Sequence, residues 1–123
     1  MNDRVTPTNA ALPTNDLAKR VSGAVAEEFD AQGRGIRDCI VSSLPESFNF
    51  THKKVLDFGC GTGRVLRHFQ SEAQRAEFWG CDIHAPSIVW LSENLANVHV
   101  FENKEVAELP LESNYFDLVY VIS

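Results

Sequence analysis

The chain has 123 residues, 44% of them apolar and 23% charged. That is the composition of one small globular domain, and it excludes a mainly disordered, collagen-like or low-complexity chain. No apolar run approaches the roughly 18–20 residues that span a bilayer, and MNDRVTPTNAALP lacks the basic start and apolar stretch of a secretory signal. Formal net charge is −6. Residues 1–70 carry nine Lys/Arg against eight Asp/Glu, and residues 71–123 carry two against nine. No basic cluster is present to track phosphates, so neither a nucleic-acid nor a membrane partner is expected.

Three cysteines, Cys39, Cys60 and Cys81, form no CxxC pair. An odd, unpaired set argues against a disulfide framework and against zinc, and places the protein in a reducing cytoplasm. His52, His68, His84 and His99 lack ligand spacing, so no metal site is expected and each reads as an ordinary surface or half-buried side chain.

Residues 1–13 read as a tail, and 14–52 as a helical cap of two helices. The first carries Leu17, Val21, Ala24, Val25 and Phe29 at helical spacing behind a cap at Thr14 or Asn15. Gly33 and Gly35 are expected to break it. The second carries Ile36, Ile40, Val41 and Leu44 and stops at Pro45. Residues 53–123 form an α/β unit. Strand 53–58 leads into Gly59-Cys60-Gly61-Thr62-Gly63, and a helix is predicted over 64–70, its Arg64 and Arg67 facing solvent. Strand 77–82 is followed by a helix with Pro86 in its first turn. Strands 97–101 and 116–122 complete the pattern. Trp79 and Trp90 read as packing residues. This order implies a parallel sheet with right-handed crossovers. Ligands bind such sheets beyond the strands' C-terminal ends, here between the first and fourth strands.

The chemistry centres on Asp57-Phe58-Gly59-Cys60-Gly61-Thr62-Gly63. Alternate glycines let the backbone turn sharply and approach a ligand. A helix starting near Thr62 would aim free N–H groups at a negative group. Asp57, closing the strand, would meet a cationic one. The pair suits a zwitterion. A dinucleotide loop wants a third glycine or alanine where Arg64 stands, and no Gly-Lys-Ser/Thr marks a P-loop. Asp82 closes the second strand and can accept both hydroxyls of a ribose. Ile83 can pack on a flat base. Glu105, beyond the third strand, can accept from an exocyclic amine. Together these read as a nucleoside site. Cys60 lies in the loop without an evident base to activate it.

The segment Val55–Ser123 resembles the class I S-adenosylmethionine-dependent methyltransferases. VLDFGCGTGRVLRHF is similar to their first motif, GCDIHAPSIVWLSENL to the second, and AELPLESNYFDLVYVIS to the stretch ending at the fourth strand. The resemblance implies a Rossmann-like parallel sheet of order 3-2-1-4 with helices on both faces, and S-adenosylmethionine as cofactor. It implies that Asp57, Phe58, Gly59, Cys60, Gly61 and Gly63 hold the methionine part, that Asp82 binds the ribose and that Ile83 lines the adenine. Glu105, with the backbone of Val106, matches the adenine-amine position, where the family usually has Asp. Asn103 is the other candidate there. Ser123 falls where the fourth strand opens toward the methyl group. No catalytic residue is identified.

The family's sheet continues beyond the fourth strand, so the sequence looks like the N-terminal half of a methyltransferase, expected to be inactive alone. The methyl acceptor is expected to be a small molecule. The alternatives are a non-catalytic nucleoside-binding or interaction fragment and an NAD-dependent oxidoreductase. An open fourth strand, apolar from Leu118 to Ile122, is expected to drive self-association.

Overall fold

The computed structural model describes residues 12–14, 16, 26–104 and 114–122. Helix α1 runs from Ala26 to Ser43. The expected break at Gly33 and Gly35 does not occur. Phe29 is fully buried, and Ile36, Ile40 and Val41 pack on the core from the same helix. Each interior glycine costs about 1 kcal/mol against alanine. Burying this stripe outweighs that, since one large apolar side chain contributes about 1.5–3 kcal/mol. Residues 17–25, most of the first expected helix, lie outside the described residues.

Four strands follow: β1 (Lys54–Phe58), β2 (Glu77–Asp82), β3 (Val98–Glu102) and β4 (Leu118–Val121). They form one parallel sheet of order β3-β2-β1-β4. Helix α2 (Ala85–Asn94) joins β2 to β3, with Pro86 in its first turn as expected. β4 is shorter than predicted. Its pairing starts where Asp117 N donates to Lys54 O at 2.8 Å, while Phe116 packs edge-on against Trp79.

The segment after the glycine loop departs from expectation. Residues 61–65 are turns, and Leu66–Phe69 is a single 3-10 turn rather than part of an α-helix. Arg67 N still reaches Gly63 O at 3.0 Å, but His68 N bonds Val65 O in the tighter pattern. So short a run cannot sustain α-helix by itself. It carries no macrodipole of consequence, which removes the helix-end attraction expected at Thr62.

The core lies on one face of the sheet. Phe50, Phe69 and Phe78 stack there, with Phe69 and Phe78 centroids 5.0 Å apart. α1 and α2 both pack on this face, through Ile36 and Ile40 and through Ile88 and Leu91. Right-handed crossovers from β1 to β2 to β3 require α2 and the segment before β2 to share a side. The β3–β4 connection runs through residues 105–113, outside the described set. On the opposite face Trp79 stacks on His99 and meets Phe101, Tyr115 and Phe116. Val119 and Val121 on β4 are 50% and 61% exposed. No helix among the described residues is long and apolar enough to cross a membrane.

Candidate functional site

The site is built at the C-terminal ends of β1 and β2. Asp57 and Phe58 close β1, in register with Gly80 and Cys81 of β2 and with Tyr120 and Val121 of β4. The loop leaves at once. Gly59 N and Cys60 N both donate to Cys81 O at 2.8 Å, pinning the loop's start to the end of β2. Gly59, Gly61 and Gly63 all take positive φ. At Gly63 the approach is also close: a Cβ there would lie 2.8 Å from Leu91 Cδ1. A side chain at this position would force the buried Leu91 side chain to shift. Beside Gly59, by contrast, a Cβ would meet nothing within 4 Å.

Asp57 is 3% exposed. Burial pushes its carboxyl up to about 8, partly offset by the Tyr120 hydroxyl and the Arg64 guanidinium and reinforced by Asp82. The Tyr120 hydroxyl is buried and interacts with Asp57, yet the contact misses full hydrogen-bond geometry. The carboxyl is therefore largely neutral at neutral pH. An ammonium group brought against it would restore its charge. The same burial raises the Cys60 thiol well above its usual range and the Cys81 thiol to about 11. Neither sulfur is a nucleophile there, in keeping with a Cys60 that has no evident base to activate it.

Asp82 is buried at the same edge. Its Oδ2 accepts from Gly61 N at 2.8 Å and its Oδ1 from His84 N at 2.8 Å. One carboxylate thus ties the glycine loop to the start of α2. Each oxygen has a second lone pair, so accepting two further hydroxyls is within its capacity. Ile83, next along, is 52% exposed and free to carry a flat ring. Asn103 joins them. Its N donates to Asp82 O at 3.1 Å, and its Oδ1 is buried with no hydrogen-bond partner. Glu105, Val106 and Ser123 lie outside the described residues. Two concavities, of about 750 and 670 Å³, lie elsewhere, and neither is lined by Asp57, Asp82 or Asn103. The strand ends are the better candidate. Burying a carboxyl is costly without a use, whereas the larger concavity is rimmed by Lys53, Lys54 and Arg75 and the other is a mainly apolar groove between α1 and β4, with no convergent polar groups in either.

Arg64 and Arg67 correct the sequence reading. Both are buried, 9% and 3% exposed, because α1 covers them. Arg64 Nη1 donates to Gln32 Oε1 at 3.3 Å, and Arg67 Nε lies 2.9 Å from Asp30 Oδ1, an ion pair whose N–H misses hydrogen-bond direction. The His68 side chain is wholly buried, with Nε2 3.0 Å from the Asp30 carbonyl oxygen. A carbonyl only accepts, so Nε2 carries the proton. Burial also lowers the His68 pKa and keeps the ring neutral. Arg37 pairs with Glu72 across the same seam. Sequence reasoning missed Tyr120 and these α1 partners. Tyr120 was findable from strand order, since it faces Asp57 across the ladder. The α1 contacts had no sequence signal.

A family model described as a methyltransferase domain matches residues 55–123. No curated protein matches the chain. Among solved structures, the amino pentose methyltransferase CalS10 of Micromonospora echinaspora, bound to SAM, is 21% identical. It aligns over 96% of this chain and 45% of its own, with a TM-score of 0.55. A SAM-dependent methyltransferase of Aquifex aeolicus is 19% identical over 77% of this chain and 53% of its own, TM-score 0.55. The plantazolicin methyltransferase BpumL, solved with a monoazolic desmethylPZN analogue and SAH, is 16% identical over 82% of this chain and 39% of its own, TM-score 0.60. At such identities these likenesses speak to the fold alone. The chain spans between 39% and 53% of the lengths of these three structures.

Proposed function

Because the chain belongs to the methyltransferase-domain family, we propose that its protein transfers a methyl group from S-adenosylmethionine to a small-molecule acceptor. The observation that carries this reading is a buried, largely neutral Asp57 beside a positive-φ glycine loop, with Asp82 one strand away. The residues fit the cofactor. The open space at Gly59 leaves room for a chain of atoms, and Asp57 would hold its ammonium, Asp82 its ribose hydroxyls and Ile83 its base. The orphaned Asn103 Oδ1 supports a role in reading the adenine amine. Glu105, Val106 and Ser123, outside the described residues, are proposed cofactor contacts on the resemblance alone.

When bound, S-adenosylmethionine supplies a methyl group already activated on a sulfonium sulfur. The chain's own residues bind, orient and exclude water, and that is the larger share of such catalysis. The buried thiols Cys60 and Cys81 support a reducing, cytoplasmic setting. Calorimetric titration with S-adenosylhomocysteine and with NAD tests the reading. Saturable binding of the thioether nucleoside with no response to NAD is expected; the converse overturns it.

A further inference from the structure

The glycine loop has two ends, and only one is held by the sheet. Its start hangs from Cys81 O and Asp82 Oδ2. Its far end runs into a turn and a four-residue 3-10 segment, which has too few internal bonds to position anything. α1 supplies the second anchor. A Cβ at Gly33 would lie 1.9 Å from Arg64 O, so the helix backbone sits directly against the loop's exit. Just ahead of Gly33 on the same helix, Gln32 takes Arg64, the Asp30 carboxylate takes Arg67 and the Asp30 carbonyl takes His68. Burying two arginines and a histidine under one helix is an expensive way to hold a surface. It is a specific way to fix the register between two segments that pack without a shared sheet.

We propose that α1 is a clamp on the cofactor loop, in which Gly33 sets the distance and the Asp30 side chain is a positioning residue acting through Arg67, while the Asp30 carbonyl holds His68. The proposal rests on the cofactor reading given above for its functional consequence. The clamp itself is defined by contacts independent of any ligand. Loop misplacement of about 1 Å is enough to cost roughly a hundredfold where atoms must meet in register.

The two glycines of α1 make an internal control. At Gly35 a Cβ would meet nothing within 4 Å. Gly33→Ala and Gly35→Ala are therefore the same chemical change two residues apart, one against the loop and one in open space. In the full chain, Gly33→Ala is expected to weaken S-adenosylhomocysteine binding about tenfold or more, and Gly35→Ala to leave it unaltered. Asp30→Asn is expected to weaken binding while Asp30→Glu restores it. Amide hydrogen exchange without ligand gives the second readout: Gly61 and Gly63 exchange faster in Gly33→Ala and at the parent rate in Gly35→Ala. If Gly33→Ala does not fold, Gln32→Ala and Asp30→Asn carry the same comparison. Folded variants with parent-like affinity and parent-like exchange at Gly61 and Gly63 overturn the clamp. So does loss of affinity that merely follows melting temperature in both glycine variants. If the unaltered chain binds no thioether nucleoside, the cofactor reading fails, and the exchange comparison alone decides the clamp.

Discussion

On the proposed function, Asp57 would couple cofactor binding to pH. Its carboxyl sits at about 8 because burial disfavours the charge. A ligand ammonium favours the ionised form, so binding must lower that value and release a proton. The sign follows: affinity rises with pH until about 8. With binding confined to the ionised form, affinity at pH 7.0 should exceed that at pH 5.5 by about 30-fold, or about 2 kcal/mol. Over that interval the ligand's amino group stays protonated, because its adjacent free carboxylate holds it above the roughly 8 of a chain-terminal amine. About 0.9 proton should leave per ligand bound at pH 7, read by calorimetry in two buffers of different ionisation enthalpy. Asp57→Asn should bind more weakly and show a flat profile. Without ligand the linkage acts on stability with the opposite slope. A carboxyl raised in the folded state contributes stability that is fully present below its unfolded value of 3.8 and lost as pH rises through about 8. Affinity that is constant from pH 5.5 to 7.0, with no proton released, would refute the reasoning.

Asp82→Ala removes the acceptor for Gly61 N and His84 N and should weaken S-adenosylhomocysteine binding by roughly 1–3 kcal/mol, measured by titration. Gly63→Ala meets both a positive φ and Leu91, so a loss of roughly 1–3 kcal/mol in urea unfolding is expected. Glu72→Ala leaves Arg37 buried over Phe69 without its carboxylate, with Asp38 its remaining ion-pair partner, and should destabilise by about 2–4 kcal/mol. We propose that β4, with Val119 and Val121 exposed, pairs with a second copy. Light scattering of the 123-residue chain should show a dimer or larger, and Val119→Lys should reduce it.

Much of the sheet was legible because its signals are local. Short β-branched and aromatic runs, bounded by Gly, Asn and Pro, place four strands within two residues of their observed ends. The carboxylates at two of those ends were legible for the same reason, since a residue that closes a parallel strand faces the ligand edge. Side-chain state was not. Nothing in the string DFGCGTG says that Asp57 is buried deeply enough to hold a proton near neutrality. That depends on Tyr120, which arrives 63 residues later on another strand.

The N-terminal cap was the least legible part, and Gly33 shows why. Read locally, two glycines three and five residues after Asp30 are helix breakers. Read locally, too, Arg64 stands where a dinucleotide loop would keep a small residue for close packing. Both local readings miss the same contact. The small residue is present, but α1 supplies it: Gly33 closes on the carbonyl of Arg64 while the guanidinium turns aside to Gln32. A loop can pack closely against a neighbour with a large side chain in its own sequence, provided the neighbour has no Cβ at the point of contact. Such complementarity is shared between two segments 31 residues apart, and each half looks like a defect until the other is in place.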